Sequence, residues 1–264
     1  MKRYLYIFLI TLSFVACSRS SWVQELENKN PLKDSADVVS VYFRFDTIIN
    51  DFEVSGILYP FYDEKYGWSA CENGVRMFFH SLKTGKEYVW TDWDEDCQSF
   101  KWYFMSYNVR KMVYNKNFTG FKNGESFVFE YFTTPAKYSN NTLLPYAEYQ
   151  FYDADFDCED ELILGYYAGG PRGGVCFEIY DITDTALVRK VPIGDHFYFC
   201  LDANSVIDAK NRLIINYLYD GTWEWGTYAY KADENGDFHW LYYASTACDI
   251  NGNIATSDTT YFKL

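Results

Sequence analysis

From residue 38 onward, apolar and polar positions alternate in short runs. The first reads Val39-Ser40-Val41-Tyr42-Phe43-Arg44-Phe45, β-branched or aromatic on nearly every position, which predicts a strand. Comparable runs recur at 75–82, 88–90, 126–132, 146–152, 162–167, 175–182, 187–193, 212–219, 222–230 and 238–243. Gly, Asn and Asp punctuate them, the residues that turns need. No stretch after residue 37 holds a helical period over ten or more positions. The pattern therefore predicts an all-β domain over 38–264, built from short strands.

Three polar turns between apolar runs read as hairpins: Leu82-Lys83-Thr84-Gly85-Lys86, Thr183-Asp184-Thr185-Ala186 and Asp233-Glu234-Asn235-Gly236-Asp237. The first two resemble the outer hairpins of quinoprotein-type propeller blades. That resemblance implies a propeller-like arrangement of antiparallel hairpins; a two-sheet β-sandwich is the alternative.

The first 37 residues differ. Lys2 and Arg3 precede an apolar run from Tyr4 to Ala16. This run is too short for a membrane-spanning helix, which needs about 20 residues, and matches the core of a signal peptide. It ends Phe14-Val15-Ala16-Cys17. This resembles the lipobox of bacterial lipoproteins, with phenylalanine where leucine is usual. The resemblance implies cleavage after residue 16 and acylation of Cys17. Residues 17–37 then form the lipid anchor and a polar tether, with a short helical turn near Trp22 to Leu26. The expected location is the cell envelope, lipid-anchored at the outer membrane, with the side of that membrane left open.

Losing Lys2 and Arg3 with the leader takes the net charge from −14 to −16. Such a chain repels nucleic acid, so a nucleic-acid partner is excluded. Aromatic residues make up 21% of the chain, which suits a β core and also sugar stacking. With Cys17 given to lipid, six cysteines remain: Cys71, Cys97, Cys158, Cys176, Cys200 and Cys248. An even count in an oxidising compartment predicts disulfides, and sequential pairing is the expectation.

One loop has the pattern for metal chemistry. Asp153, Asp155 and Asp157 alternate, and Glu161 falls at the ninth position. This resembles the calcium loops of FG-GAP repeats in integrin-type propellers. It implies Asp153, Asp155, Asp157 and Glu161 as ligands and calcium as the cofactor. Calcium takes six to eight oxygens at about 2.3–2.6 Å, which alternating carboxylates in a tight turn can supply. Cys158 stands where those loops carry glycine. Asp92, Asp94, Asp96 and Cys97 repeat the spacing without the later carboxylate.

Nucleophile-elbow, zinc-protease and P-loop motifs are absent from the sequence. Trp223 and Trp225 alternate, so they share a face, either as core or as a ligand-stacking pair. The functional expectation is a membrane-anchored, non-enzymatic binding or scaffold module for a protein or glycan partner. The alternative is a carbohydrate-active enzyme using two carboxylates.

Overall fold

The structure is a computed structural model. It describes residues 20–64, 67–69, 74–91, 93–94, 99–100, 107–116, 119–131, 147, 149–167, 175–194, 201–202, 205–219, 224–249 and 253–262. Residues 1–19, Cys17 among them, and Cys71, Asp92, Asp96, Cys97, Cys200 and Trp223 lie outside the described residues.

In chain order the elements are α1 (Ser21–Lys29), β1 (Val41–Phe45), β2 (Phe52–Leu58), β3 (Phe61–Asp63), β4 (Gly67–Ser69), β5 (Val75–Ser81), β6 (Glu87–Thr91), β7 (Trp93–Asp94), β8 (Ser99–Phe100), α2 (Tyr107–Lys116) and β9 (Glu125–Phe129). There follow β10 (Tyr149–Tyr152), β11 (Glu161–Tyr167), β12 (Val175–Ile182), β13 (Leu187–Arg189), β14 (Leu201–Asp202), β15 (Val206–Asp208), β16 (Leu213–Tyr219), β17 (Glu224–Ala232), β18 (Phe238–Cys248) and β19 (Ile254–Tyr261). The fold is all-β. Sheet I has the order β6-β5-β2-β1-β9. Sheet II runs β10-β11-β12-β13, with β14 also on β12. Sheet III is the meander β15-β16-β17-β18-β19. All three anticipated hairpins form, as β5–β6, β12–β13 and β17–β18.

The sheets stack in series, and consecutive residues of β11 show how. Leu162 and Leu164 join Val41, Phe43, Phe79 and Tyr149 in a core between sheets I and II. Ile163, between them in sequence, joins Phe177, Ile179, Ile207, Ile214 and Tyr230 in a core between sheets II and III. Side chains alternate across a strand, so sheet II is buried on both faces. Aromatic rings carry much of the first core: Phe45 and Phe79 meet Tyr149 edge-on at 5.1 and 5.7 Å, and Phe52 stacks on Phe151 at 5.1 Å. Trp90 Nε1 donates to Tyr180 Oη across the two sheets at 2.8 Å. Gly56 sits opposite Phe43, and a Cβ there would overlap the Phe43 ring and the Arg76 carbonyl.

The stack is open and sandwich-like. None of the three sheets closes on itself, and it has one layer more than the two-sheet alternative. The stretch expected as tether holds a packed helix. In α1, Val23 and Leu26 are buried against Tyr42, Ile57, Tyr59 and Phe78 on the outer face of sheet I. Asn30 then locks the helix end. Its Nδ2 donates to Ser40 Oγ and Tyr42 Oη, and its Oδ1 accepts from Tyr59 Oη and the Leu32 amide, at 2.9–3.2 Å. Residues 21–30 are thus part of the packed domain. A second helix, α2, occupies a stretch where no helical period was expected.

Sequential disulfide pairing does not hold among the described residues. Cys158 is exposed on its loop and carries no bridge, whereas Cys176 is buried in β12, so they are not joined. Cys248, at the end of β18, carries no bridge among the described residues, and its expected partner Cys200 lies outside them. Both members of the third pair, Cys71 and Cys97, lie outside the described residues.

Candidate functional site

The acidic loop joins β10 to β11, closing where Tyr152 pairs with Glu161. Its own carboxylates shape it. Asp153 Oδ2 accepts from the Cys158 amide at 3.2 Å, Asp155 Oδ1 from Asp157 at 3.1 Å, and Asp157 Oδ1 from Glu159 at 2.8 Å. Glu161 Oε2 reaches back to the amides of Ala154 and Asp155 at 2.6 and 3.2 Å. Two non-glycine residues take left-handed backbone, Phe156 at φ 68° and Cys158 at φ 76°. Cys158 therefore adopts the conformation for which calcium loops use glycine. This costs on the order of 1–2 kcal/mol.

The turn brings together three of the four expected ligands. Ligand oxygens of Asp153, Asp155 and Glu161 all lie within 4.8 Å of one another. Asp157 stays outside the group, occupied by the Glu159 amide. Asp155 and Glu161 are 1% and 3% exposed, and Asp153 Oδ1 is buried without a donor among the described residues.

Buried carboxylates need a counter-charge. Here the chain supplies one. The Lys190 ammonium, just past β13, hydrogen-bonds Asp155 Oδ2 and lies 3.0 Å from Asp181 Oδ1, with its side chain 9% exposed. Two further residues from sheet III close the site. Gly236, at φ 80° in the β17–β18 turn, leaves room for the Asp155 carboxylate; a Cβ there would overlap it. Arg212 donates to the carbonyls of Phe156 at 2.8 Å, Asp155 at 3.3 Å and Asp233, tying the loop to that turn. Lys190, Arg212 and Gly236 were not legible as site residues, because each lies 35 or more positions from Asp155 in sequence.

The electrostatics follow from burial. Burial pushes Glu161 up to about 8, aided by the neighbouring Asp155 charge and opposed by the two loop amides. Burial also raises Asp155, against the pull of Lys190. For Lys190, burial works against its charge, yet the hydrogen bonds to Asp155 and Asp181 outweigh it and raise its pKa. A carboxyl whose folded pKa lies above its unfolded value stabilises the protein below the unfolded value and loses that contribution as pH rises. Thermal unfolding should show stability falling between about pH 5 and about pH 8, by on the order of 1 kcal/mol per unit from this group. Glu161→Gln should flatten that slope.

Two other surfaces stand out. On the outer face of sheet I, Glu53, His80 and Glu87 are cross-strand neighbours in one row. They line a cleft of about 440 Å³ with Trp22, Arg44 and Ile48. Arg44 lies over the Trp22 ring at 5.3 Å, and Lys29 holds Glu87. At the opposite end of the stack, Val206, Ile215, Ala229, Tyr242 and Tyr261 form one row across the outer face of sheet III. Tyr217, two residues from Ile215, lies on the same face. Tyr217 is 39% and Tyr261 75% exposed, and the Tyr242 and Tyr261 rings are 6.0 Å apart. The next row, Tyr217, Thr227, Ala244 and Thr259, is likewise uncharged. No composition signal marks these tyrosines; only strand register assembles them. Trp225 belongs to β17, opposite Thr246 on β18.

Comparison with known protein families, with curated proteins and with solved structures gives no match to this chain.

Proposed function

We propose that the protein is an outer-membrane lipoprotein, acylated at Cys17. In this reading it is a non-enzymatic module that binds a protein or glycan partner through the outer face of sheet III. The observation that carries this reading is the asymmetry of the stack. At one end α1 covers sheet I. At the other, sheet III presents exposed Val206, Tyr217 and Tyr261 in uncharged rows, on a chain of net charge −14. Exposed tyrosine in uncharged surroundings suits both protein and sugar partners. In the same reading, the meanders of sheets II and III are successive blades of a propeller-like stack. Calcium enters as a competitor of Lys190 for Asp153, Asp155 and Glu161.

The test uses acylated protein in detergent, screened against glycan arrays and by cross-linking in envelope extracts. Tyr217→Ala with Tyr261→Ala should weaken the binding found by roughly 30-fold, the effect of losing a 2 kcal/mol anchor. Unchanged binding by the double variant would remove sheet III as the binding face.

The enzymatic reading rests on Glu53 and Glu87, which flank His80 on strands two apart. That places their backbones about 9–10 Å from each other beside Trp22. Both carboxylates are exposed and Lys29 neutralises Glu87. The binding reading is therefore the stronger.

A further inference from the structure

We propose that the domain rests directly on the membrane, with Trp22 on α1 and Ile48 in the β1–β2 turn in contact with a zwitterionic lipid surface. This inference builds on the acylation of Cys17. Four Cα steps separate Cys17 from Ser21, at most about 14 Å of chain. At Ser21 the chain enters α1, and α1 is fixed to sheet I by Val23, Leu26 and the Asn30 hydrogen bonds. No slack remains to lift the domain away. A polar tether as far as residue 37 would have allowed tens of ångströms.

The surface near the anchor fits a headgroup layer. Trp22 is half-buried with Arg44 over its ring, and Ile48, 52% exposed, lines the same cleft. Indole and guanidinium favour the interfacial zone, where one end of the side chain is apolar and the other wet. Glu25, Asp46 and Glu53 line this cleft as well. They would be repelled by anionic headgroups, but they can meet the ammonium of a zwitterionic one. Holding the domain within one short span raises the effective concentration of these weak contacts, so the patch can be small.

The experiment uses the full chain, expressed with acylation and reconstituted into phosphatidylcholine–phosphatidylethanolamine vesicles. A photoreactive benzophenone residue replaces Ile48 in one sample and Val206 in another. Val206 lies on the far face of sheet III, roughly 30 Å from the helix layer if successive layers are about 10 Å apart. Mass spectrometry reads acylation of Cys17 and lipid adducts after illumination. The expected result is an acylated Cys17, lipid adducts at position 48 and none at position 206. A flexible Gly/Ser insertion of about 20 residues after Ser18 should abolish the adducts at 48. Acylated protein with equal or absent adducts at both positions overturns the membrane contact while leaving the anchor intact. An unmodified Cys17 overturns anchor and contact together.

Discussion

Leu162→Ala and Ile163→Ala are each expected to destabilise the protein by about 2–4 kcal/mol, although the two residues are adjacent on one strand. Leu162 is 1% exposed in the core shared with sheet I, and Ile163 is fully buried in the core shared with sheet III. Each truncation opens a cavity in a different core. For a domain of this size, 1 kcal/mol corresponds to about 2–4 °C in melting temperature, so each variant should melt roughly 5–15 °C lower. The two losses should nearly add, because the cores lie on opposite sides of the sheet. Val128→Ala, at a position 54% exposed on β9, should change little. If one of the core pair proved neutral, sheet II would have a free face and the series of three layers would be wrong.

The second large effect concerns Lys190. Lys190→Met removes the ammonium but keeps much of the side chain's volume. Asp155, 1% exposed, is then left beside Glu161 and Asp153 with no counter-charge among the described residues. Breaking a buried pair from one side costs about 3–5 kcal/mol. Asp155→Asn added to Lys190→Met should recover part of that loss, which separates the charge from the packing. The same substitution should turn the loop into a calcium site. With a dissociation constant of about 10⁻⁴–10⁻³ M, as in extracellular modules, 10 mM calcium would return roughly 1.4–2.7 kcal/mol. Thermal melts with and without chelator read this directly. Calcium should raise the melting temperature of the variant by several degrees and that of the native protein by less than half as much. A native shift as large as the variant's would make calcium the resident cation.

Much of this fold is legible in the chain. Alternation locates most strands of the three sheets, and turn residues locate the hairpins at Gly85 and Gly236, both at positive φ. What was missed has physical causes. The β2 segment, 52–58, is not among the expected runs, and its central Gly56, which adds no apolar side chain to the pattern, is the seat for the Phe43 ring. β19, Ile254-Ala255-Thr256-Ser257-Asp258-Thr259-Thr260-Tyr261, is exposed throughout, so no buried face imposes an apolar period on it. The helical turn near Trp22 to Leu26 is legible, but its docking on sheet I is not, because α1 packs through only two buried side chains, Val23 and Leu26. The consecutive apolar residues Leu162-Ile163-Leu164 do carry the signal of a strand buried on both faces. In the acidic loop, the carboxylates announce themselves by spacing. Their counter-charge does not, because Lys190 arrives from just past β13, 35 positions from Asp155.

The binding role of sheet III is tested most directly by its accessibility in place. Val206→Cys and Tyr261→Cys are labelled with maleimide in purified protein and in intact envelopes, with Val188→Cys on β13 as reference. Mass spectrometry reads each site separately from the native cysteines. All three positions are exposed on the isolated chain, Val188 at 47%. Positions 206 and 261 should react freely in purified protein and be protected in envelopes, while position 188 reacts in both. Equal reactivity of 206 and 261 in the two preparations would contradict a partner on this face.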